Sequence, residues 1–493
     1  MKKKVTHILK KDVAHLWPQI LVFLAMLVMF ACEDPTYNRH SNNGLVSFIN
    51  LLYLLLPLSC WLLVISLVHE ETPIGHNQYW LTRPFTWTDL LSAKALFLLA
   101  FVNLPVFLCQ AAVLAANGFS PVDHLTDLLA RQVFFAALLV LPVAALAAVT
   151  KGLGHTILGG LLLCVPLAMA AALPTYLAPG SGWGGLAWIR ASGVATVAIC
   201  GAGMVILFQY TRRRTALSRA VLSGAAVLVV LVWAAPPWQP AFVLQSWFST
   251  QQIDSQAVRL SFDPRHDAPL PASASNPTPP SNAVPPAGTR LEIPIQVASI
   301  PPGMEVVADW TRVQVEGGGL KPWRSGWAAN WGIRHEASGK RWLTVFIDPD
   351  YLDRIKEASI RLQGSVDLTL VVRTNNLPSY RFIEADVPGL GPCSIAVSSR
   401  VECFSPLPRA SLTLVSGEGR SLFHSPIDRT EVYAPYPTSP WFGPLQRYSV
   451  AVTYFGDDLM GDTILAVEHP VAHIQRSFDF HSLRLADYLS ANN

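Results

Sequence analysis

Seven apolar stretches occupy the first 235 residues: Leu16–Cys32, Leu45–Val68, Ala95–Ala116, Val133–Val149, Thr156–Leu173, Ala191–Phe208 and Ala220–Ala235. A bilayer core is crossed by roughly 17 to 25 apolar residues, and these stretches fall in or just below that range. Lipid offers no partner for backbone N–H and C=O groups, so each stretch must close its hydrogen bonds internally as a helix. Pro57, Pro105, Pro142 and Pro166 lie inside stretches. Each removes a backbone donor and frees a carbonyl that neighbouring groups must satisfy. The chain is 51% hydrophobic and 14% charged, where a soluble protein is about one quarter charged. Charge returns after Gln239, where the text reads as ordinary globular sequence. The net charge of +3 is too small and too scattered to suggest a nucleic-acid surface.

Lysine and arginine orient the spans. With the N-terminus inside, the cytoplasmic segments hold Lys2, Lys3, Lys4, Lys10, Lys11, Arg83, Lys94, Lys151, Arg212, Arg213, Arg214 and Arg219. The outer loops hold Arg39, Arg131 and Arg190. Seven spans then carry everything after Trp238 out of the cytoplasm. Before the first span, residues 1–17 read as an amphipathic helix on the inner membrane surface, with Val5, Ile8, Leu9, Val13, Leu16 and Trp17 on one face. Lys10, Lys11 and Asp12 fall largely off that face. The charged lead-in is too long for a signal peptide. No Asp, Glu, Lys, Arg or His falls within the seven stretches. Ion-coupled carriers need such residues as relays or ligands, so their absence argues against a self-powered carrier.

The longest inner loop, His69 to Lys94, has unusual chemistry for a simple connection. Glu70 and Glu71 close the second span, Gly75 breaks the helix, and Tyr79, Trp80, Leu81, Thr82, Arg83 and Pro84 follow. Thr86 or Thr88 can then N-cap a short helix, containing Asp89, that leads through Lys94 into the third span. One reading is an interfacial loop whose aromatic residues sit at headgroup depth. Glu71, Gly75, Leu81, Pro84, Leu90, Leu91, Ala93 and Lys94 also match, in order and approximate spacing, the first cytoplasmic loop of a known family. By that loop, the N-terminal helix and the run of spans, the first 210 or so residues resemble the permease subunits of type-two ATP-binding-cassette (ABC) exporters. The resemblance implies that roughly Gly75–Leu91 holds a coupling helix that docks on a cytoplasmic ABC ATPase. It implies a homo- or heterodimer of permease subunits in the plasma (inner) membrane. A seventh span and a large outer domain depart from the family pattern.

An ATPase site is missing from the sequence. Gly339 and Lys340 come nearest to a phosphate-binding loop, but Arg341 follows in place of Ser or Thr and Arg334 stands where the first glycine belongs. ATP and magnesium are therefore expected in a partner, with no cofactor in this chain. His69-Glu70-Glu71-Thr72-Pro73 begins like a zinc-protease helix, but Pro73 replaces the second histidine. His469, His473 and His481 fit no metal template, and no catalytic residue or metal site is expected.

The second half changes to a two-residue period. Leu291, Ile293, Ile295 and Val297 alternate, as do Leu362, Val366, Leu368, Leu370 and Val372 with Gly364 at the gap, and Val450, Val452 and Tyr454. Ala257–Phe262, Glu305–Val315, Arg341–Ile347 and Ser411–Val415 are further candidate strands. Residues 239–493 are thus expected to form a mainly-β, sandwich-like extracytoplasmic domain, with an extended proline-rich segment at 263–289. Cys393 and Cys403 flank a hairpin turning near Ser398 and, outside the cytoplasm, should pair as a disulfide. The fold class is a membrane all-α bundle of about seven helices at 16–238, followed by this β domain. The expected function is an export permease driven by a separate ATPase. The alternative is a membrane-anchored β domain that binds or assembles a partner without transport.

Overall fold

The computed structural model describes residues 2–32, 43–71, 86–163, 187–234, 238–247, 257–263, 289–325, 328–329, 333–335, 341–378, 384–387, 391–396, 400–405, 411–416, 421–425, 446–451 and 463–488, with Ser249, Gln251, Ile253, Asp254, Phe442 and Pro444. Two compact units divide the chain. Residues 1–172, 190–235 and 434–446 form the first, and 173–189, 236–433 and 447–493 the second.

The first unit is helical: α1 (Lys2–Cys32), α2 (Asn43–His69), α3 (Trp87–Ala116), α4 (Leu125–Ala148), α5 (Leu153–Leu163), α6 (Ala187–Arg212) and α7 (Thr215–Ala234). Each apolar stretch meets a helix. Among the described residues, however, five helices (α1, α3, α4, α6 and α7) are long and apolar enough to cross a membrane, while Leu54–His69 of α2 and α5 are shorter apolar runs. The chain is thus a multi-pass membrane protein, with five such helices among its described residues where about seven spans were expected. Leu54, Leu99, Leu108, Leu162 and Leu228 stand exposed on these helices, the pattern of surfaces that face lipid.

Helix α1 also departs from expectation. It runs unbroken from Lys2 to Cys32 through Pro18, where an interfacial helix and a separate span were expected. Ile8, Leu16, Ile20, Phe23 and Leu27 are all buried, so one face packs on the unit from end to end. Prolines inside α3 and α4 are accommodated by widened turns. A π turn at Leu99–Asn103 precedes Pro105, and another at Ala136–Val140 precedes Pro142. The extra residue relieves the ring's clash with the preceding turn. In α3 the Asn103 amide donates to the Leu98 carbonyl at 3.3 Å, so a side chain takes up a loosened backbone acceptor. Helices α6 and α7 approach closely at small residues: a Cβ on Gly201 would lie 2.5 Å from that of Ala225.

The second unit begins with α8 (Trp238–Trp247) and is then mainly β. One four-stranded sheet has the order β1 (Arg259–Phe262), β2 (Thr289–Ala298), β7 (Arg341–Ile347), β6 (Ile333–His335). A seven-stranded sheet runs β13 (Ser421–Ser425), β12 (Ser411–Ser416), β15 (Thr463–Arg484), β8 (Ser359–Pro378), β3 (Glu305–Gly317), β4 (Trp323–Arg324), with β5 (Ala328–Ala329) also on β3. Leu291, Ile293, Ile295, Leu343, Val345 and Ile347 of the smaller sheet share one core with Leu362, Leu368, Leu370, Ile474, Phe478 and Phe480 of the larger. The period-two residues of both sheets therefore face each other, as in a sandwich. A short helix, α9 (Pro349–Ile355), capped by Asp348, adds Leu352 and Ile355 to that core.

A third sheet holds β14 (Gln446–Ala451), β11 (Arg400–Ser405), β10 (Gly391–Ala396) and β9 (Glu384–Val387). Cys393 lies directly opposite Cys403 in the β10–β11 pair, and the two form a disulfide with Cα atoms 4.0 Å apart. The segment at 264–288, and Val452 and Tyr454, lie outside the described residues.

Gly364 is the tightest point of the large sheet. A Cβ there would come 2.3 Å from the Phe478 ring and 2.5 Å from the Arg312 carbonyl oxygen. Replacing Gly364 with Ala should destabilise the second unit by about 3 kcal/mol, at the high end for overpacking because one obstacle is backbone. A melting curve of the variant would show it. Replacing Cys393 and Cys403 with Ser should cost about 2–3 kcal/mol, since a short loop is released in the unfolded chain. Thiol labelling of the unfolded wild-type chain, before and after reduction, should reveal two additional reactive sulfurs after reduction.

Candidate functional site

Lysine is seldom buried because its ammonium loses water and needs replacement partners. Lys94, on α3, is 4% exposed. Its Nζ donates a 2.6 Å hydrogen bond to the carbonyl of Leu67, in the last turn of α2. Two carboxylates flank it at 3.9 Å: Asp12 of α1 and Glu71, which follows α2. Asp12 is fully buried and Glu71 nearly so. At 3.9 Å the ammonium compensates both charges without a hydrogen bond to either. Neither Asp12 oxygen has a hydrogen-bond partner among the described residues. Lys11 closes the other side of Glu71 at 3.1 Å and reaches Glu70 at 3.4 Å, where His15 also stands, 3.2 Å away. Buried Tyr210 of α6 completes the surroundings.

A second polar group adjoins the first through the end of α2. His69 Nε2 donates to the Ala147 carbonyl of α4 at 3.1 Å, with Thr150 and Thr156 within 3.5 Å. Those two hydroxyls share a 2.6 Å hydrogen bond. Arg219, near the start of α7, donates to the Val149 carbonyl from Nε at 3.3 Å and Nη2 at 3.1 Å. A guanidinium on the final carbonyls suits the negative end of the α4 dipole. One end of the unit thus gathers the starts of α1, α3, α5 and α7 with the ends of α2, α4 and α6.

The sequence pointed to Glu70, Glu71, Gly75, Tyr79, Trp80, Arg83, Pro84, Asp89 and Lys94. The structure brings Glu70, Glu71 and Lys94 into one cluster. Asp89 serves its helix: Thr86 is the N-cap, its side chain accepting from the Asp89 backbone at 3.2 Å while Asp89 Oδ2 accepts from the Thr86 N–H at 3.2 Å. Gly75, Tyr79, Trp80, Arg83 and Pro84 lie outside the described residues, as does most of the expected coupling segment. Asp12, Lys11, His15 and His69 were missed as members of the site. Ile8, Asp12 and Leu16 repeat every fourth residue, and all three are buried. Asp12 therefore lies on the packed face of α1, where the sequence placed it largely off that face. The apolar stretches contain no charge, yet the helices extend past them and bury Asp12 and Lys94 within the unit. That weakens the sequence argument against ion coupling.

The second unit has its own polar centre. Arg373 lies 2.7 Å from Glu305 and 2.9 Å from nearly buried Glu468. Burial pushes the Glu305 carboxyl above its usual range, with Arg373 pulling the other way. His473 pairs with Thr369 at 2.9 Å and His481 with Asp479 at 3.4 Å. No group of three or more potential ligand residues is poised for a metal among the described residues. No family profile, curated protein or solved structure matches the chain.

Replacing Lys94 with Met should destabilise the helical unit by about 3 kcal/mol, because the change strips a buried cation from two buried carboxylates. Adding Asp12→Asn should recover part of that loss. Thermal unfolding in detergent of the two single variants and the double variant would read both effects.

Proposed function

We propose that the chain is the membrane-spanning permease subunit of a transporter, worked from the cytoplasmic side by a separate ATPase of the ABC type. One observation carries the reading. Glu71 and Lys94 bracket the 72–93 interval, and both are buried in one ionic cluster with Asp12. A loop rooted in packed charge passes a push at its tip to α1, α2 and α3 together, whereas a merely interfacial loop needs no such root. The capped start of α3 at Thr86 stiffens the returning arm.

In this reading seven helices cross the inner membrane, the N-terminus is cytoplasmic and the β domain lies outside. Support comes from the alternation of helix starts and ends at the charged end of the unit. Lys11, Lys94, Lys151, Arg212 and Arg219 belong to that end or adjoin it, as the inside bias of positive charge requires. The Cys393–Cys403 disulfide fits an oxidising compartment. Substrate passage by alternating access would involve a pair of permease subunits.

A second reading, an anchored β module that binds or assembles a partner, is favoured by the separate core of the second unit. Cutting the chain near residue 240 separates the two: an outer fragment retaining all activity favours the anchor. For the transporter, replacing residues 75–85 with a Gly-Ser linker of equal length should abolish co-purification with an ATPase and stop export. Export that continues without any ATPase would refute the proposal.

A further inference from the structure

Asp12 carries a carboxylate that its surroundings leave poorly compensated. It is fully buried, and neither of its oxygens has a hydrogen-bond partner among the described residues. Glu71 Oε2, buried beside it, also lacks one. The charges that act on Asp12 belong to Lys94, Glu71, Lys11 and Glu70. Tyr210 of α6 faces both Asp12 and Glu71, and His15 lies one turn along α1, against Glu70. Among these described groups three carboxylates meet two ammonium groups, so the cluster is one positive charge short while His15 is neutral. An ionised carboxyl without hydrogen bonds in a low-dielectric interior takes up a proton rather than keep its charge. A metal ion suits the place less well. Lys11 and Lys94 would repel it, and no group of three or more ligand residues is poised for one among the described residues.

The same groups lead outward in order of exposure. Side-chain exposure is 64% at His15, 20% at Glu70, 7% at Glu71 and zero at Asp12. His15 Nε2 stands 3.2 Å from Glu70 Oε2. Lys11 bridges Glu70 at 3.4 Å to Glu71 at 3.1 Å, and Lys94 bridges Glu71 to Asp12, 3.9 Å from each. Chains of ionisable side chains at membrane depth are the usual means of relaying protons.

We propose that Asp12 is a proton-binding site, loaded from the face of the helical unit where His15 is exposed. Water at that face protonates His15, whose Nε2–H passes the proton to Glu70 Oε2. Each ammonium then hands one proton forward and recovers one from behind, Lys11 between Glu70 and Glu71 and Lys94 between Glu71 and Asp12. The flexible stem of Lys94 closes its two 3.9 Å gaps in turn. The net change is one O–H bond formed on Asp12 and one proton drawn from water. His15 and both lysines finish as they began, and nothing is oxidised. Loaded, Asp12 is neutral and Lys94 keeps Glu71 as its counter-charge, so α1 is less tightly tied to α3. For the permease reading, on which this purpose rests, loading loosens the root of the inner loop and makes export depend on pH at that face.

Proton binding itself is testable without a substrate. Full-length chain in detergent is unfolded across about pH 5 to 8, and the pH slope of its unfolding constant is compared with that of Asp12→Asn. A proton held by the folded chain and released on unfolding makes stability fall as pH rises, by up to about tenfold in the unfolding constant per pH unit. The wild type should show that slope in excess of the Asn variant, whose amide keeps the shape and cannot take the proton. His15 titrates in the same range but is present in both chains, so its contribution cancels. Equal slopes refute the site, and equal slopes with unfolding shifted by sodium or potassium put a metal cation there instead.

Infrared spectra of the reconstituted chain keep the proposal open to refutation if the Asn variant fails to fold. The carbonyl stretch of a protonated carboxyl should grow as pH falls, and Asp12→Glu should move it. A band that Asp12→Glu leaves in place belongs to another carboxyl and counts against the site. His15→Ala should slow the rise of the band after a pH jump several-fold, and an unchanged rate refutes the route. Export that ignores pH, beside a chain that shows the slope and the band, refutes the purpose and leaves the proton site standing.

Discussion

A lysine ammonium out of reach of water has to be compensated by protein, and at Lys94 the compensation comes from three directions. The Leu67 carbonyl accepts its hydrogen bond, and the carboxylates of Asp12 and Glu71 supply opposite charge. Because these groups belong to α3, α2 and α1 and to the residue that opens the loop, the cluster sets the relative height and rotation of three helices. Apolar packing alone would leave helices free to slide, since lipid is as apolar as their faces. Buried charge fixes one register.

The second unit is organised differently, around the pairing of two long strands. β8 and β15 run side by side from Ser359↔Arg484 to Pro378↔Ile464, with irregularities near Val467, Ala472 and Leu483. Such bulges add twist and re-aim side chains. Phe478 lies over Gly364, so the gap in the apolar alternation of β8 is where an aromatic ring from the neighbour settles. The two strands, each 20 residues or longer, are separated by 84 residues, which makes this a non-local and slow-forming contact. The Cys393–Cys403 hairpin closes locally within that interval.

Much of the architecture was legible, for reasons that differ by element. Apolar runs announce helices because lipid forbids unsatisfied backbone, and the alternation at Leu291–Val297 announces a strand because one face must be dry. Thr86 and Thr88 were both readable as caps, and packing of the capping box with Asp89 selected Thr86. β15 was not read at all. Its polar positions carry Glu468, His469, His473, Gln475 and Arg476, and Pro470 interrupts it, so the buried Ala472, Ile474, Phe478 and Phe480 are thinly spaced. A central strand this polar is stable because Thr369 meets His473, and Arg373 meets Glu468, across the pair.

By itself the sequence determined that the first half partitions into a membrane as helices, that the second half folds as β-structure, and that Cys393 and Cys403 can meet across a hairpin. Those outcomes follow from local composition and period, which act within one element. Tertiary structure decided that α1 is one continuous helix, that Asp12 turns inward to Lys94, that His69 reaches Ala147, and that Phe442 enters the helical core. Each of these depends on which surface lies opposite a residue, and that is set by partners 78 to 412 positions away. A charge beside an apolar stretch looks solvated when read along the chain. Only packing shows that its counter-charge is waiting on another helix.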